Sequence, residues 1–373
     1  MNFYEQIQSL NLNEIRERIE RASSMDVERA LAREHLEIHD LAALFSPAAA
    51  PFIEELAQRS AALTERRFGR VIQLYAPLYV SNECVNKCVY CGFSHDVGIP
   101  RLTLTVEQAV AEADAIAREG FRHILLVAGE DRRHVSVPYL AEIVRRLNDR
   151  FAAIAIEIQP LNEDEYRELV AAGVDGLAIY QETYDEALYK TLHPAGPKRN
   201  YKGRLEAIEA GGRAGMRALG IGALLGLGDW RFEAVMVAMH GRHLARRFWR
   251  SRVAISFPRI RGNAHMFRPE RLPTDADLVQ MICAMRLVLP DAELVMSTRE
   301  NAKLRDRLIG LGITRTSAGS KTNPGGYQMD EAMDSGEQFA VSDPRPAAEV
   351  AAAIAARGFE PVWKDFDRSL AKC

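Results

Sequence analysis

The sequence predicts an α/β fold: a (β/α)8 TIM-type barrel with an N-terminal helical extension and a C-terminal tail. Three observations predict it. Eight short apolar segments recur between residues 71 and 318, each followed by a stretch of helical periodicity, and strands alternating with helices imply βαβ units and a parallel sheet. Polar residues gather just after the C-terminal ends of those segments, the rim on which such barrels carry their active sites. The 373 residues, 47% of them hydrophobic, can fill a barrel of roughly 250 residues with additions at both ends. An open doubly wound sheet is the alternative arrangement of the same units.

Residues 1–68 read as a helical extension. Helical spacing runs through 13–22 and 27–36, Pro47 and Pro51 punctuate the stretch, and a third helix spans about 51–67. Its mixed-charge faces suggest a cap or a partner-docking surface without chemistry of its own. After Phe68-Gly69 the period changes, and the barrel occupies 69–324. Its strands are expected at 71–80, 123–128, 153–158, 176–180, 218–224, 253–257, 293–297 and 314–318. Between them lie helices such as 105–119, 137–150, 163–172, 205–214, 231–248 and 275–288. The tail, 325–373, carries a helix at 347–357 and Pro361-Val362-Trp363-Lys364-Asp365, and is expected to pack on the barrel. His240 and His243, three apart on an outer helix, could bind a metal but read as a solvent face. Cys283 sits in an apolar helical run and reads as a small core residue; Cys373 reads as a free thiol.

Composition excludes several partners. A net charge of −3 leaves no polybasic footprint, which argues against nucleic acid and acidic membrane surfaces. No apolar run approaches the roughly 20 residues of a membrane span, and the polar opening MNFYEQIQSLNLNEIRERIE has no signal-peptide core. A cytoplasmic location follows as the expectation, one in which thiols stay reduced.

The chemistry centres on Cys84-Val85-Asn86-Lys87-Cys88-Val89-Tyr90-Cys91. Three of the five cysteines fall within these eight residues, which marks a metal or redox site rather than a disulfide framework. Three thiolates on four irons leave one iron open to a ligand, and soft thiolates suit iron–sulfur clusters. A structural zinc site of Cys84, Cys88, Cys91 and His95 is the competing reading, and a zinc-stabilised binding module the competing class of function. Other candidates follow the remaining strands. Glu157 and Gln159 straddle the end of strand 3; Gly220, Gly222, Gly226 and Gly228 crowd strand 5, where a backbone could approach a flat ligand such as adenine. Arg299 is the candidate for a substrate carboxylate, since bidentate Arg fixes that group best, with Arg259 and Arg261 as rivals. Ordinary ion pairs of Arg299 with Glu300 or Asp306 are the structural alternative. Arg204 has Ala207 and Ile208 three and four residues on, so no acid in the next helical turn serves it.

The C-x3-C-x-aromatic-C loop, with Tyr90 in the aromatic slot, resembles the cluster loop of radical S-adenosylmethionine (SAM) enzymes. Ala128-Gly129-Glu130 resembles the Gly-Gly-Glu motif of that superfamily, with Ala in the first position. Tyr79 through Ser94, Ser46-Pro47-Ala48-Ala49, Tyr180-Gln181-Glu182-Thr183-Tyr184, Ser256-Phe257-Pro258-Arg259, Ser297-Thr298-Arg299-Glu300, Ser320-Lys321-Thr322, Pro324-Gly325-Gly326-Tyr327 and Val362-Trp363-Lys364-Asp365 resemble the 2-iminoacetate synthase family over nearly the whole chain. The resemblance implies a radical SAM barrel with a 4Fe–4S cluster on Cys84, Cys88 and Cys91. SAM would then be held at Gly129, Glu130 and Gly226, with its ribose on Glu182 and its carboxylate on Arg204. It implies cleavage of the Cα–Cβ bond of L-tyrosine to 2-iminoacetate (dehydroglycine) and 4-cresol, with 5′-deoxyadenosine and methionine, for the thiazole of thiamine. Flavodoxin or ferredoxin would be the reductant and thiazole synthase the protein partner. Arg299 would hold the substrate, and Tyr90, Glu157 and Gln159 are candidates for handling the phenolic proton. A tryptophan lyase is an enzymatic alternative. The tyrosine lyase of hydrogenase maturation carries a second, C-terminal cluster, and this sequence has no cysteine motif after Cys91.

Overall fold

The computed structural model describes residues 1–34, 36–260, 267–269, 271–329 and 336–365. Arg261 and Cys373 lie outside the described residues. Eight parallel strands follow one another around the sheet: β1 (Val71–Ser81), β2 (His123–Ala128), β3 (Ala153–Glu157), β4 (Gly176–Ala178), β5 (Ala218–Gly222), β6 (Arg252–Ser256), β7 (Glu293–Met296) and β8 (Arg315–Ser317). β1 pairs with both β2 and β8, so the sheet closes into a barrel and the open-sheet alternative falls. Several strands end one or two residues before their apolar runs do. The chain leaves the ladder there to form the loops of the C-terminal rim.

Local sequence sets the helix starts. Val106–Arg118 begins at Thr105, whose side chain takes the Gln108 N–H while Gln108 answers the Thr105 N–H; such a capping box satisfies two orphan donors at once. Asn162 with Glu165 and Thr274 with Asp277 repeat it. The helix expected over 205–214 starts earlier, as Tyr201–Arg213, because Asn200 caps it through the Gly203 N–H at 2.9 Å. That start puts Arg204 in the first turn, at the rim. Glu186–Leu192 and Ala302–Leu308, seven residues each, were not legible as helices; two turns are too short for periodicity to show.

The N-terminal extension is Phe3–Gln8, Leu12–Arg21, Ser24–Leu31, Ile38–Leu44, a 3-10 turn at Pro47–Phe52 and Ile53–Phe68. The run expected at 27–36 is helical only as far as Leu31, and the next helix begins beyond it at Ile38. The extension packs outside the barrel, on Tyr201–Arg213, Trp230–Arg247 and Asp275–Val288. This corrects the reading of His240 and His243 as a solvent face. The Phe3 ring stacks on His240 with centroids 4.2 Å apart, and His243 pairs with Glu209 at 3.1 Å. Burial pushes His240 down to about 3, so it is neutral. Cys283 is buried in Asp275–Val288 as expected.

The tail adds a helix, Ala347–Ala356, and an unanticipated ninth strand, β9 (Glu360–Val362), parallel to the start of β1. Pro361 is tolerated because β9 is an edge. Asp365 then reaches under the barrel to His123 at 2.6 Å and Arg252 at 3.4 Å, and also bonds Gln73. With Glu293 paired to Arg252 (3.0 Å) and Arg315 (3.5 Å), an ionic layer closes the bottom.

Candidate active site

The loop after β1 carries the three cysteines to the rim. Asn82 and Arg101 hold its ends together: the Leu102 N–H donates to Asn82 Oδ1 at 2.7 Å, and the Arg101 guanidinium donates to the carbonyls of Asn82, Phe93, Ser94 and Val97 at 2.6–3.1 Å. Within the loop Asn86 is a bridge. Its Nδ2 donates to Glu130 at 2.8 Å and its Oδ1 accepts the Lys198 N–H at 2.8 Å. Gly196, at φ +95, has no room for a Cβ against Asn86, and only glycine adopts such a turn freely. Gly129 is similarly constrained, because a Cβ there would collide with the Glu83 carbonyl. The close approach of β2's end to the cysteine loop thus explains this glycine without appeal to a ligand.

Against the cysteines lies a pocket walled by charge. It is lined by Cys84, Cys88, Cys91, Gly129, Glu130, Glu157, Glu182, Lys198 and Arg204, among others. Arg204 is buried; it donates to Glu130 at 2.8 Å and to the Tyr180 carbonyl at 2.6 Å. Lys198 pairs with Glu182 at 2.7 Å and lies 4.0 Å from Glu130. Burial alone would raise both carboxyls; the Arg204 and Lys198 charges outweigh it and hold Glu130 and Glu182 below the usual range. Neither Glu130 nor Glu182 is therefore a solvated surface acid, and Arg204 is not a helix-surface Arg. Glu182 has φ +70, the one non-glycine residue with positive φ among the described residues, a conformation that persists only when its surroundings over-determine it. They do so here. The buried Glu233 carboxylate accepts from the Thr183 hydroxyl and the Tyr184 N–H immediately downstream.

The donor set fits a multi-iron cluster better than zinc. Among the described residues, the one trio of Cys, His, Asp or Glu ligand atoms within 4.8 Å of one another is Glu83, Asp131 and His134. The three thiols are thus spread wider than a single tetrahedral ion with bonds of roughly 2.3 Å would hold them. His95 is exposed and is not part of the pocket, so the Cys3His reading is corrected. Burial pushes the Cys88 and Cys91 thiols up, and a metal centre is what would favour their thiolates.

A second cavity runs from the rim into the barrel, sharing Cys91, Glu157, Glu182, Lys198 and Gln338 with the cysteine side; Tyr90 lines the barrel cavity alone. Its walls include Leu125, Val127 and Val295, and its mouth carries Arg299. Glu300 pairs with Arg259, and Asp306 with Arg345 at 2.8 Å. The Arg299 guanidinium lies 3.3 Å over the Phe339 ring. Arg259, its rival, is buried between Glu300, Asp275 and the Pro273 carbonyl and does not line the cavity. Glu157 faces both pockets, and burial with the Glu182 charge pushes it up to about 7. The Tyr90 hydroxyl is committed: His193 Nδ1 lies 2.8 Å from the Tyr189 carbonyl, to which it donates, so its Nε2 accepts from Tyr90 at 2.7 Å. Gln159 donates to the Val135 carbonyl at 2.8 Å and lines neither pocket. Gly226 also lines neither. It turns at φ +108 against Leu272 and Ile260.

Residues 78–238 match the Radical SAM superfamily and residues 256–360 the Biotin and Thiamin Synthesis associated domain. The 2-iminoacetate synthases of Salmonella typhimurium and Escherichia coli are each 44% identical to this chain over 371 residues, covering 99% of it and 98% of theirs. The chain belongs to the 2-iminoacetate synthase family of radical SAM enzymes. The FeFe-hydrogenase maturase HydG from Carboxydothermus hydrogenoformans is similar in structure, with TM-score 0.85 and 31% identity over 97% of this chain and 83% of that one. Methylornithine synthase (PylB), at TM-score 0.70 and 20% identity over 90% of this chain and 97% of its own, shares the fold. As in its superfamily, the cofactors of this 2-iminoacetate synthase family member are a 4Fe–4S cluster and SAM. Sequence reasoning missed Lys198, Asn86, Arg101 and His193. Only Asn86, inside the cysteine loop, carried a positional hint.

Proposed function

We propose that this chain is a radical SAM carbon–carbon lyase that cleaves L-tyrosine at Cα–Cβ to 2-iminoacetate and 4-cresol, for the thiazole of thiamine. The observation that carries the reading is the junction of a three-cysteine pocket with a barrel cavity of aromatic-lined and apolar walls, in a chain alike over its whole length to 2-iminoacetate synthases. Bound at the cysteines, the cluster and SAM supply one-electron, hydrogen-abstracting chemistry.

The chain's own residues bind, orient and exclude water. Cys84, Cys88 and Cys91 would ligate the cluster. The Gly129 backbone and Glu130 would take the methionine end of SAM, Arg204 its carboxylate and Glu182 its ribose hydroxyls; a carboxylate accepts two donors and a guanidinium forks onto a carboxylate. Lys198, now bonded to Glu182, would balance charge when the ribose claims that acid. Arg299 would hold the tyrosine carboxylate at the cavity mouth. Glu157, bordering both ligands, would hydrogen-bond the substrate. Tyr90 would act through its ring, since its hydroxyl belongs to His193. Ionic closure below keeps the cavity out of bulk water, which limits side reactions of a reactive intermediate.

A flavodoxin or ferredoxin would deliver the electron. Thiazole synthase would receive the imine, which water hydrolyses. No helix among the described residues is long and apolar enough to cross a membrane, and a cytoplasmic setting suits the oxygen-sensitive cluster. The test is anaerobic: reconstitute with iron and sulfide, reduce, add SAM with tyrosine or tryptophan, and analyse products by mass spectrometry. The reading expects deoxyadenosine, 4-cresol and glyoxylate from tyrosine alone. Cleavage of tryptophan in its place would overturn the substrate.

A further inference from the structure

Barrels usually fill their interior with layers of branched side chains. Here β4, β5 and β6 place Ala178, Gly220, Gly222 and Ala254 side by side: Ala178 pairs with Gly220, Gly220 with Ala254 and Gly222 with Ser256. Tyr180 enters the space so opened. Its ring passes 3.2 Å from where a Gly222 Cβ would stand, and the Ser256 carbonyl lies 2.7 Å from the same point. Any side chain at Gly222 would therefore expel one or the other. The Tyr180 hydroxyl reaches across β5 to Ser256 Oγ at 3.1 Å. Beside them stand Tyr75 of β1 and its register partner Ser317 of β8, whose Oγ accepts the Thr298 N–H at 3.2 Å.

All four residues line the interior cavity, together with apolar Leu125 and Val295. Arg315, itself part of the ionic layer, packs on the Tyr75 ring at 4.7 Å. The cavity thus has an apolar shaft and a hydroxyl floor. Burial pushes Tyr75 and Tyr180 up, so both hydroxyls stay protonated. The other two phenols of the cavity serve the structure: Tyr79 donates to Gln338 at 2.7 Å and Tyr90 to His193. A Tyr–Ser pair joined by one bond uses one donor and one acceptor, and each hydroxyl has one donor and two acceptor sites. The pair can therefore accept and donate one bond more.

We propose that the floor formed by Tyr180 and Ser256, with Tyr75 and Ser317 beside them, receives the phenol hydroxyl of the substrate and selects tyrosine over phenylalanine. This rests on the tyrosine-lyase reading. It places the amino-acid end at the rim, near Arg299 and the cofactor pocket, and the ring down the shaft. A substrate without the hydroxyl would leave buried polar groups unpaired, which is how hydroxyl-reading sites reject such analogues.

The experiment uses the reconstituted holoenzyme. Equilibrium dialysis without reductant gives the affinities for tyrosine and phenylalanine, and 4-cresol release gives kcat and KM. Wild type should prefer tyrosine by about 100-fold or more. Tyr180→Phe and Ser256→Ala should each weaken tyrosine binding by about tenfold while leaving phenylalanine binding unchanged. KM should rise, with kcat and the cluster's absorption spectrum held. Wild-type selectivity retained in both variants would overturn the floor assignment. So would a wild type that releases 4-cresol yet binds phenylalanine as well as tyrosine, and the lyase reading would survive that result. No 4-cresol from wild type would overturn the lyase reading and the floor with it.

Discussion

The cofactor pocket and the substrate cavity share a wall but are built differently. The pocket is made of loop residues fixed by charge and by side chain–backbone bonds: Asn86, Arg101, Lys198 and Arg204 tie four separate segments together. The cavity is made of strand residues held by the barrel ladder, and its shape comes from what is missing at Gly220, Gly222 and Ala254. A site built from charge pairs should fail at single positions. A site built from absent side chains should fail by filling, and more gently.

The largest effect tests that contrast at the cysteines. Replacing any of Cys84, Cys88 or Cys91 with Ala should abolish bound iron and turnover, whereas Cys283→Ala should keep both; iron and sulfide analysis reads this directly. Next is Gly129→Ala. The new methyl meets the Glu83 carbonyl, an overpacking on the order of 1–3 kcal/mol, so the variant should unfold at lower denaturant and incorporate less cluster. Wild-type iron content and unfolding midpoint would show that the loop tolerates the shift.

An effect of similar size, spread over pH instead of seen at once, lies behind the pocket at Glu233. Burial pushes it up to about 7 from an ordinary 4.5, so the folded chain keeps a proton that the unfolded chain has released. Its stabilising share is full below about 4.5 and is lost as pH rises through about 7. The total is on the order of 3 kcal/mol. Denaturation between pH 4.5 and 8 should show this slope, and Glu233→Gln should flatten it.

How much of this was legible follows the same division. The eight strands announced themselves because buried parallel strands are apolar runs, and the cysteine loop because ligands cluster in sequence. Glu182 and Arg204 were found through motif and through the lack of a helical partner. Lys198 was not, because its meaning depends on a 3-10 turn, Pro197–Arg199, that swings it onto Glu182. The place of Gln338 and Phe339 in the cavity wall, the strand Glu360–Val362 and the burial of His240 under Phe3 were equally hidden, since each depends on a remote segment folding back. Gly222 was visible as a glycine, but its purpose, room for Tyr180, was not. Gly226 and Gln159 were suggested by position near a strand end; the structure gives the first a turn at φ +108 and the second a bond to the Val135 carbonyl.

The most direct test of two adjoining pockets with separate ligands is crosswise binding by Arg204→Met and Arg299→Ala holoenzymes. Arg204 lines the cofactor pocket alone, and Arg204→Met should weaken SAM binding by about tenfold and spare tyrosine. Arg299→Ala should weaken tyrosine binding by about 100-fold and spare SAM. Loss of both ligands in either variant, with iron content intact, would contradict the division on which the account stands.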